Sequence, residues 1–301
     1  MSFDLPPSPL QKLALDLSYD VYIKRDDLLH QTVSGNKWRK LKYNLQAAAA
    51  ANKSILVTKG GNYSNHIYAT AAAGKLFGFQ TIGLIRGEAL DNATLRFARE
   101  QGMTLVFCNR SDYRNITAEN YHQYIPENSA KDTFFIPEGG TNQAALRGAA
   151  EIVTELKTQL PDLDWSKTII ACAVGTAGTI GGIVKGANGK AQILGFAALK
   201  GSFLSADVAQ LTDNQYNNWR VSDDYHFGGY ARWTLELIAF IRAFELQHGV
   251  PLEPIYTAKV MYGLTEMMTK QAFPIGSTII AIHTGGLQGR VGFTEQFGIA
   301  F

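Results

Sequence analysis

Short runs of Ile, Val and Phe that do not alternate with polar residues recur along the chain. Between them, apolar residues return at helical spacing. The runs predict strands at 54–57, 81–85, 104–108, 133–136, 168–174, 193–197 and 278–283. The helical patterns predict helices at 38–51, 65–77, 93–101, 144–159, 180–187, 231–248 and 258–270. A strand that is apolar on both faces and is followed by a helix belongs in a parallel sheet covered on both sides. The expected class is α/β, with doubly wound open sheets. Four strands and their helices fall between Ser54 and Pro137, with other strands after them. A smaller domain, 41–146, is therefore expected to be inserted in a larger one, 1–40 with 147–301, leaving a cleft between the two.

Composition adds limits to this picture. The 301 residues are 46% hydrophobic and 18% charged, an ordinary globular balance. Lys and Arg total 28 against 26 Asp and Glu, a net charge of +2. That field is too weak to point to nucleic acid or an acidic membrane as partner. No run approaches the roughly 20 apolar residues that span a bilayer. The opening Met1-Ser-Phe-Asp-Leu-Pro-Pro lacks a basic stretch followed by an apolar one, so no secretory leader is expected. Cys108 and Cys172 both lie in apolar runs and read as buried thiols. The six histidines form no close pair of zinc type. A reducing cytoplasm is the expected compartment.

The chemistry gathers at strand ends, where ligands bind in open α/β sheets. Four such ends are rich in glycine and small polar residues. They are Lys59-Gly-Gly-Asn-Tyr-Ser64-Asn65-His66, Pro137-Glu-Gly-Gly-Thr-Asn142, Val174-Gly175-Thr176-Ala177-Gly178-Thr179 and His283-Thr284-Gly-Gly286. The third is the best anion site. Its glycines let backbone N–H groups converge, and the next helix adds its positive end. It contains no lysine and no Walker pattern, and its Gly-x-x-Gly-x-x-Gly spacing differs from that of dinucleotide binders. A monophosphate suits it best.

Lys37, in Ser34-Gly-Asn-Lys37-Trp-Arg-Lys-Leu41, joins these strand ends in one constellation. A lysine in the first turn of a helix meets the helix's positive end, which is unfavourable for stability but lowers the amine's pKa. Schiff-base chemistry needs a neutral amine. Pyridoxal phosphate, a phosphorylated aldehyde, would use the lysine, the phosphate loop and the polar strand ends together.

These residues resemble the 1-aminocyclopropane-1-carboxylate deaminase / D-cysteine desulfhydrase family, pyridoxal-phosphate enzymes of the tryptophan-synthase β-subunit fold. The likeness runs from Tyr22-Ile-Lys-Arg25-Asp26-Asp27 through Gly35-Asn-Lys37-x-Arg39-Lys40-Leu41, Gly61-x-x-Ser64-Asn65-His66 and Pro137-x-Gly-Gly-x-Asn142. It continues through the 175–179 loop, Tyr256-Thr257 and Thr284-Gly-Gly286. The resemblance implies that Lys37 carries pyridoxal 5'-phosphate and moves the substrate's α-proton. It implies that Asn65 meets the ring hydroxyl, and that Ser64 and His66 hold the substrate carboxylate. Gly175, Thr176, Ala177, Gly178 and Thr179 would hold the phosphate. Tyr256 and Tyr230 would face substrate or ring, and Thr284 the pyridine nitrogen. The larger domain would be the cofactor side and the smaller the substrate side. The implied partners are a small amino acid and a second copy of the chain, as a homodimer.

Plainer readings stand beside these. Ser64 also suits a helix cap, His66 a surface position, Tyr230 and Tyr256 an interface, and Thr284 a turn. His283 reads as packing, and Arg25-Asp26-Asp27 as ion pairs fixing the strand before Lys37. Two departures from the family lie near the substrate: Tyr63 stands where a glutamine is common, and the segment before Gly35 is short. Two activities compete, elimination from D-cysteine and ring opening of 1-aminocyclopropane-1-carboxylate. Thr257 stands where ring-opening members carry a glutamate, which favours D-cysteine. The rivals of other classes are a cofactor-binding module without turnover and a nucleotide binder of Rossmann type.

Overall fold

The computed structural model describes residues 3–15 and 18–301, with backbone alone at 128–130. Met1 and Ser2, which open the stretch read for a leader, lie outside them. The chain runs β1 (Leu10–Leu13), β2 (Asp20–Lys24), α1 (Asn36–Ala50), β3 (Ile55–Gly61), α2 (Asn65–Phe77), β4 (Gln80–Arg86), α3 (Ala93–Glu100), β5 (Thr104–Cys108) and α4 (Arg110–Asn115). It continues with β6 (Thr133–Ile136), α5 (Gln143–Gln159), β7 (Thr168–Val174), α6 (Gly178–Ala187), β8 (Gln192–Ala197), α7 (Phe203–Leu211), β9 (Trp219–Ser222), α8 (Leu235–His248), α9 (Thr257–Thr269), β10 (Thr278–Ile282) and α10 (Gly289–Phe297).

Two sheets form. One has six strands in the order β1-β2-β10-β7-β8-β9, the other four in the order β5-β4-β3-β6. Every pairing is parallel except β1 with β2. The smaller sheet is built from the middle of the chain, between the two halves of the larger.

The unbroken apolar runs have a simple cause. All of β7 is buried, but its side chains divide by period two. Ile169, Ala171 and Ala173 pack with Ile241 and Leu264 of α8 and α9. Ile170, Cys172 and Val174 pack with Ile152, Ile180 and Val208 of α5, α6 and α7. Strand β3 repeats the arrangement, with Leu56 on one side and Ile55 and Val57 on the other. Each isoleucine or leucine so buried contributes roughly 1.5–3 kcal/mol.

The expected strands and helices are all present. Strands β1 and β9 and helices α4, α7 and α10 are additional, and β2 is the strand expected before Lys37, to which the hydrophobic pattern gave no bounds. Strand β2 escaped the hydrophobic pattern because Lys24 is fully buried in it, paired to Glu155 at 2.6 Å. Helix α8 starts at Leu235, four residues later than expected. The Gly228–Ala231 stretch has positive φ at Gly228, Gly229 and Ala231, and Thr234 caps the helix by accepting from Leu237 N at 3.2 Å.

The charged cluster before Lys37 is a buried ion network. Arg25 pairs with Asp27 at 2.7 Å, whereas Asp26 turns to Arg39 at 2.6 Å. Arg39 also reaches Glu155 of α5 at 2.8 Å. Helices α1 and α5 are pressed together at Gly148, where a Cβ would lie 1.9 Å from the Arg39 carbonyl oxygen. The network therefore fixes α1, and with it Lys37. Both cysteines are free and buried, in β5 and β7. Among the described residues no helix is long and apolar enough to cross a membrane.

Candidate active site

The carboxyl ends of strands from both sheets converge on a cavity of about 1150 Å³. Every site residue named from the sequence lines it: Lys37, Ser64, Asn65, His66, the loop 175–179, Tyr230, Tyr256 and Thr284.

Lys37 is the second residue of α1. The helix begins there because Gly35 has φ +63° and lies against the strand end at Thr284. A Cβ on Gly35 would sit 2.0 Å from the Thr284 carbonyl oxygen. Asn36 N donates to that oxygen at 3.1 Å. Lys37 Nζ donates to Asn36 Oδ1 at 2.9 Å. Burial brings its pKa from 10.5 to about 8, only partly opposed by the Glu253 carboxylate. The leading cause is thus loss of water.

The 175–179 loop turns into α6 through Ala177, which has φ +56°. Thr179 Oγ1 accepts from Asn36 Nδ2 at 2.9 Å, tying the loop to the Lys37 segment. The loop holds no lysine in sequence, but one arrives from α1. Lys40 is 2% exposed, and its Nζ donates to Thr141 Oγ1 at 2.8 Å and Thr176 Oγ1 at 3.2 Å. It has no carboxylate partner among the described residues. Burial and the nearby Lys37 push its pKa well below 10.5. A buried cation held only by neutral hydroxyls calls for an anion beside it. The amine lies close against the loop: a Cβ on Gly178 would come within 3.0 Å of Lys40 Nζ. Lys40 was missed in the sequence. Its spacing of three from Lys37, which puts both on one helix face, was the available signal.

Ser64 does cap α2, accepting from His66 N at 3.2 Å and Ile67 N at 3.3 Å. Its own proton stays free to be donated beside the helix's positive end. His66 is no surface residue, being 1% exposed. Thr58 Oγ1 gives its proton to Ile136 O at 2.7 Å, so the 2.8 Å contact with His66 Nε2 requires an Nε2–H on the ring. Nδ1 is then a bare acceptor, without a partner among the described residues. Burial and the charges of Lys37 and Lys40 hold the ring neutral. His66 therefore presents no positive charge to a carboxylate, and Ser64 is the better holder.

Asn65 accepts at Oδ1 from Gln288 Nε2 at 3.0 Å, which leaves its Nδ2 as the free donor. Gln288 was also missed from the sequence. Tyr230 and Tyr256 meet edge-on, 6.3 Å apart. Burial raises the Tyr256 phenol well above 10, so it stays protonated. Thr284 is positioned by His283, whose Nε2 donates to Pro251 O at 2.6 Å while Nδ1 accepts from Gly285 N at 3.2 Å. His283 is packing, as read, and it also sets the Thr284 loop.

Comparison with known proteins meets this geometry. The pattern of the family "Pyridoxal-phosphate dependent enzyme" matches residues 2–285. The chain belongs to that family. A putative 1-aminocyclopropane-1-carboxylate deaminase of Thermotoga maritima is 30% identical, covering 96% of each chain. A mitochondrial protein of Arabidopsis thaliana, named a bifunctional D-cysteine desulfhydrase/1-aminocyclopropane-1-carboxylate deaminase, is 30% identical over 96% of this chain and 79% of its own. A solved structure described as an ACC deaminase homologue superposes with a TM-score of 0.81 at 27% identity, covering 97% of this chain and 93% of that one. The protein is a pyridoxal-phosphate-dependent enzyme of the 1-aminocyclopropane-1-carboxylate deaminase / D-cysteine desulfhydrase family. Its fold is the tryptophan-synthase-β-like one. The residues present suit the cofactor, since Lys40 and the loop form an anion cradle and Lys37 is an amine near neutrality.

Proposed function

We propose that the enzyme is a D-cysteine desulfhydrase, converting D-cysteine to pyruvate, sulfide and ammonia. The observation that carries the reading is that Thr284 and Thr257 are neutral hydroxyl residues. A carboxylate at the pyridine nitrogen would keep it protonated and make the ring a strong electron sink; a hydroxyl leaves the sink weaker. Thr284 lines the cavity, and Thr257 is buried at the start of α9. The nearby Glu253 carboxylate is engaged elsewhere. Its Oε1 accepts from Tyr256 N at 2.7 Å and Thr257 N at 2.6 Å, and its Oε2 from Ile255 N at 2.9 Å. Expulsion of a thiolate tolerates a weak sink better than opening a carbon ring does.

Pyridoxal phosphate supplies the aldehyde and the electron-accepting ring. The chain's own residues supply the rest. Lys40 and the 175–179 loop would hold the phosphate, and Asn65 would offer Nδ2 to the ring hydroxyl. Ser64 and the first turn of α2 hold the substrate carboxylate. Lys37, with its pKa near 8, takes the α-proton. Tyr256, kept protonated by burial, would meet the substrate side chain. Steady-state kinetics on D-cysteine and 1-aminocyclopropane-1-carboxylate tests the reading. A larger kcat/KM for the cyclopropane would overturn it. Keto-acid release from D-cysteine would exclude a cofactor-binding module without turnover.

A further inference from the structure

The active-site cavity continues into a basic annex that the chemistry so far leaves unused. The annex, about 520 Å³, is lined by Lys59, Arg86, Arg110, Tyr113, Arg114 and Glu138. Arg86, Arg110 and Glu138 also line the main cavity, so the two spaces adjoin. Four cations here face one carboxylate, while the whole chain carries a net charge of only +2. Lys59 is occupied, donating to Tyr113 O at 3.0 Å and Ile116 O at 2.8 Å. The three guanidinium groups have no ion pair or hydrogen bond among the described residues.

Strand register puts these groups beside the substrate. Arg86 ends β4 opposite Gly61 of β3 and Cys108 of β5. A Cβ on Gly61 would lie 3.5 Å from Arg86 Nη2, so the guanidinium rests against the turn that carries Ser64. That turn is closed by Ser64 N donating to Gly61 O at 3.0 Å. Arg86 also stacks over the Tyr113 ring, with Cζ 5.6 Å from the centroid, which limits where its fork can point. A planar guanidinium recognises carboxylate, sulfonate and phosphate through paired N–H donors.

We infer that the annex binds a second anionic group on the substrate, so that the preferred substrates are amino acids whose β-substituent carries a negative charge of its own. This rests on the elimination reading above and names its leaving group. The Cα–H bond breaks and its proton goes to Lys37. The Cβ–X bond breaks with its electron pair on X. The remaining three-carbon enamine takes up water and yields pyruvate and ammonium. Arg86 and Arg110 hold X as it gains charge, with X a thiolate that bears an acid group, or a sulfur or phosphorus oxyanion.

The test is binding to the holoenzyme, read from the visible absorbance of the bound cofactor. The probes are aspartate and asparagine in both enantiomers, which match in shape, differ in β-charge and carry no leaving group. Aspartate should bind about tenfold tighter or more, the size of one charge-assisted hydrogen bond. Added salt should erode that preference. In the double variant Arg86→Gln, Arg110→Gln, the two affinities should converge to within about twofold. Equal affinities in the wild type, binding of neither probe, or a preference that survives in the double variant would overturn the inference. Tighter asparagine binding with added inorganic sulfate would mean that a free anion fills the annex, which also overturns it. If D-cysteine gives no keto acid while the aspartate preference stands, the desulfhydrase reading falls and this one holds. Turnover of D-cysteine with asparagine bound as well as aspartate gives the reverse.

Discussion

Replacing Lys40 with methionine should weaken cofactor binding while leaving the apoprotein as stable as before or more so. Lys40 is almost fully buried, its ammonium met only by the Thr141 and Thr176 hydroxyls. An isolated buried charge costs several kcal/mol of solvation, and two neutral hydroxyls recover part of that. Methionine has a similar length and brings no charge. The two hydroxyls left behind already bond each other at 2.6 Å, so neither is orphaned. In the holoenzyme the balance reverses, because a hydrogen bond from ammonium to phosphate is lost. Such bonds are worth about 1.5–3 kcal/mol, which is roughly 10- to 150-fold in Kd.

Two measurements check this. Absorbance titration of the apoprotein with pyridoxal phosphate gives the Kd, and calorimetric melting of the apoprotein gives its stability. The pH dependence adds a signature. The pKa of Lys40 is depressed in the folded state, so between that value and 10.5 the unfolded chain binds more protons. Its contribution makes apoprotein stability rise with pH in that window, and that rise should be missing from the methionine variant. An unchanged Kd, together with an apoprotein weakened by more than about 2 kcal/mol, would refute the reasoning and make Lys40 a structural residue.

Lys37→Ala should abolish covalent cofactor attachment and turnover together; borohydride trapping in the wild type should tag Lys37, and a tag on Lys40 or Lys59 would contradict the assignment. Because the Lys37 amine has its pKa lowered to about 8, the rate at which apoprotein captures pyridoxal phosphate should rise with pH and level off above about that value. Removing both hydroxyls of the loop, Thr176→Val with Thr179→Val, should weaken cofactor affinity by about 1–3 kcal/mol by titration; unchanged affinity would place the phosphate elsewhere. Gly35→Ala should cost roughly 2–4 kcal/mol in melting or in cofactor binding, since its Cβ would strike the Thr284 carbonyl in a left-handed backbone; a variant within about 0.5 kcal/mol of wild type would contradict that close approach.

What the sequence disclosed depended on how local the cause was. Helix α2 was legible to the residue because its own ends define it, Ser64 accepting from the first turn and Gly78 closing it at φ +73°. The strand β7 was legible because both of its faces are covered and every position after Thr168 is apolar. Strand β2 was not, since its last residue, Lys24, is buried through a pairing with Glu155, far along the chain. Lys40 was hidden for the same reason. Its partners Thr141 and Thr176 stand 101 and 136 residues away. The proton position on His66 rests on Thr58 and Ile136, a tertiary chain of hydrogen bonds that no motif encodes. The Ser-Asn-His motif thus pointed to the right place in the fold while leaving the chemical part played by its histidine undetermined.

Helix α1 accounts for why the amine and the proposed phosphate site occur together. Lys37 and Lys40 are three residues apart, so they share a face and lie about 4.5 Å apart along the axis. Arg39 leaves the helix in another direction and enters a network with Lys24, Asp26 and Glu155, two cations against two carboxylates. That side of the helix is electrically closed without any ligand. The cavity side carries Lys37 and Lys40, and neither has a carboxylate in ion-pair contact among the described residues. A phosphate monoester carries about −1.5 to −2 near neutral pH. It matches a charged Lys40 and the positive end of α6, and it relieves the repulsion that Lys37 and Lys40 exert on each other. One stretch, Asn36 to Lys40, thus ties the fold to α5, holds the 175–179 loop through Asn36 and Lys40, and presents the amine. A residue inserted between Lys37 and Lys40 would turn one lysine about 100° from the other and break this arrangement at once. The three-residue spacing is therefore a property of the cofactor site as much as of the helix.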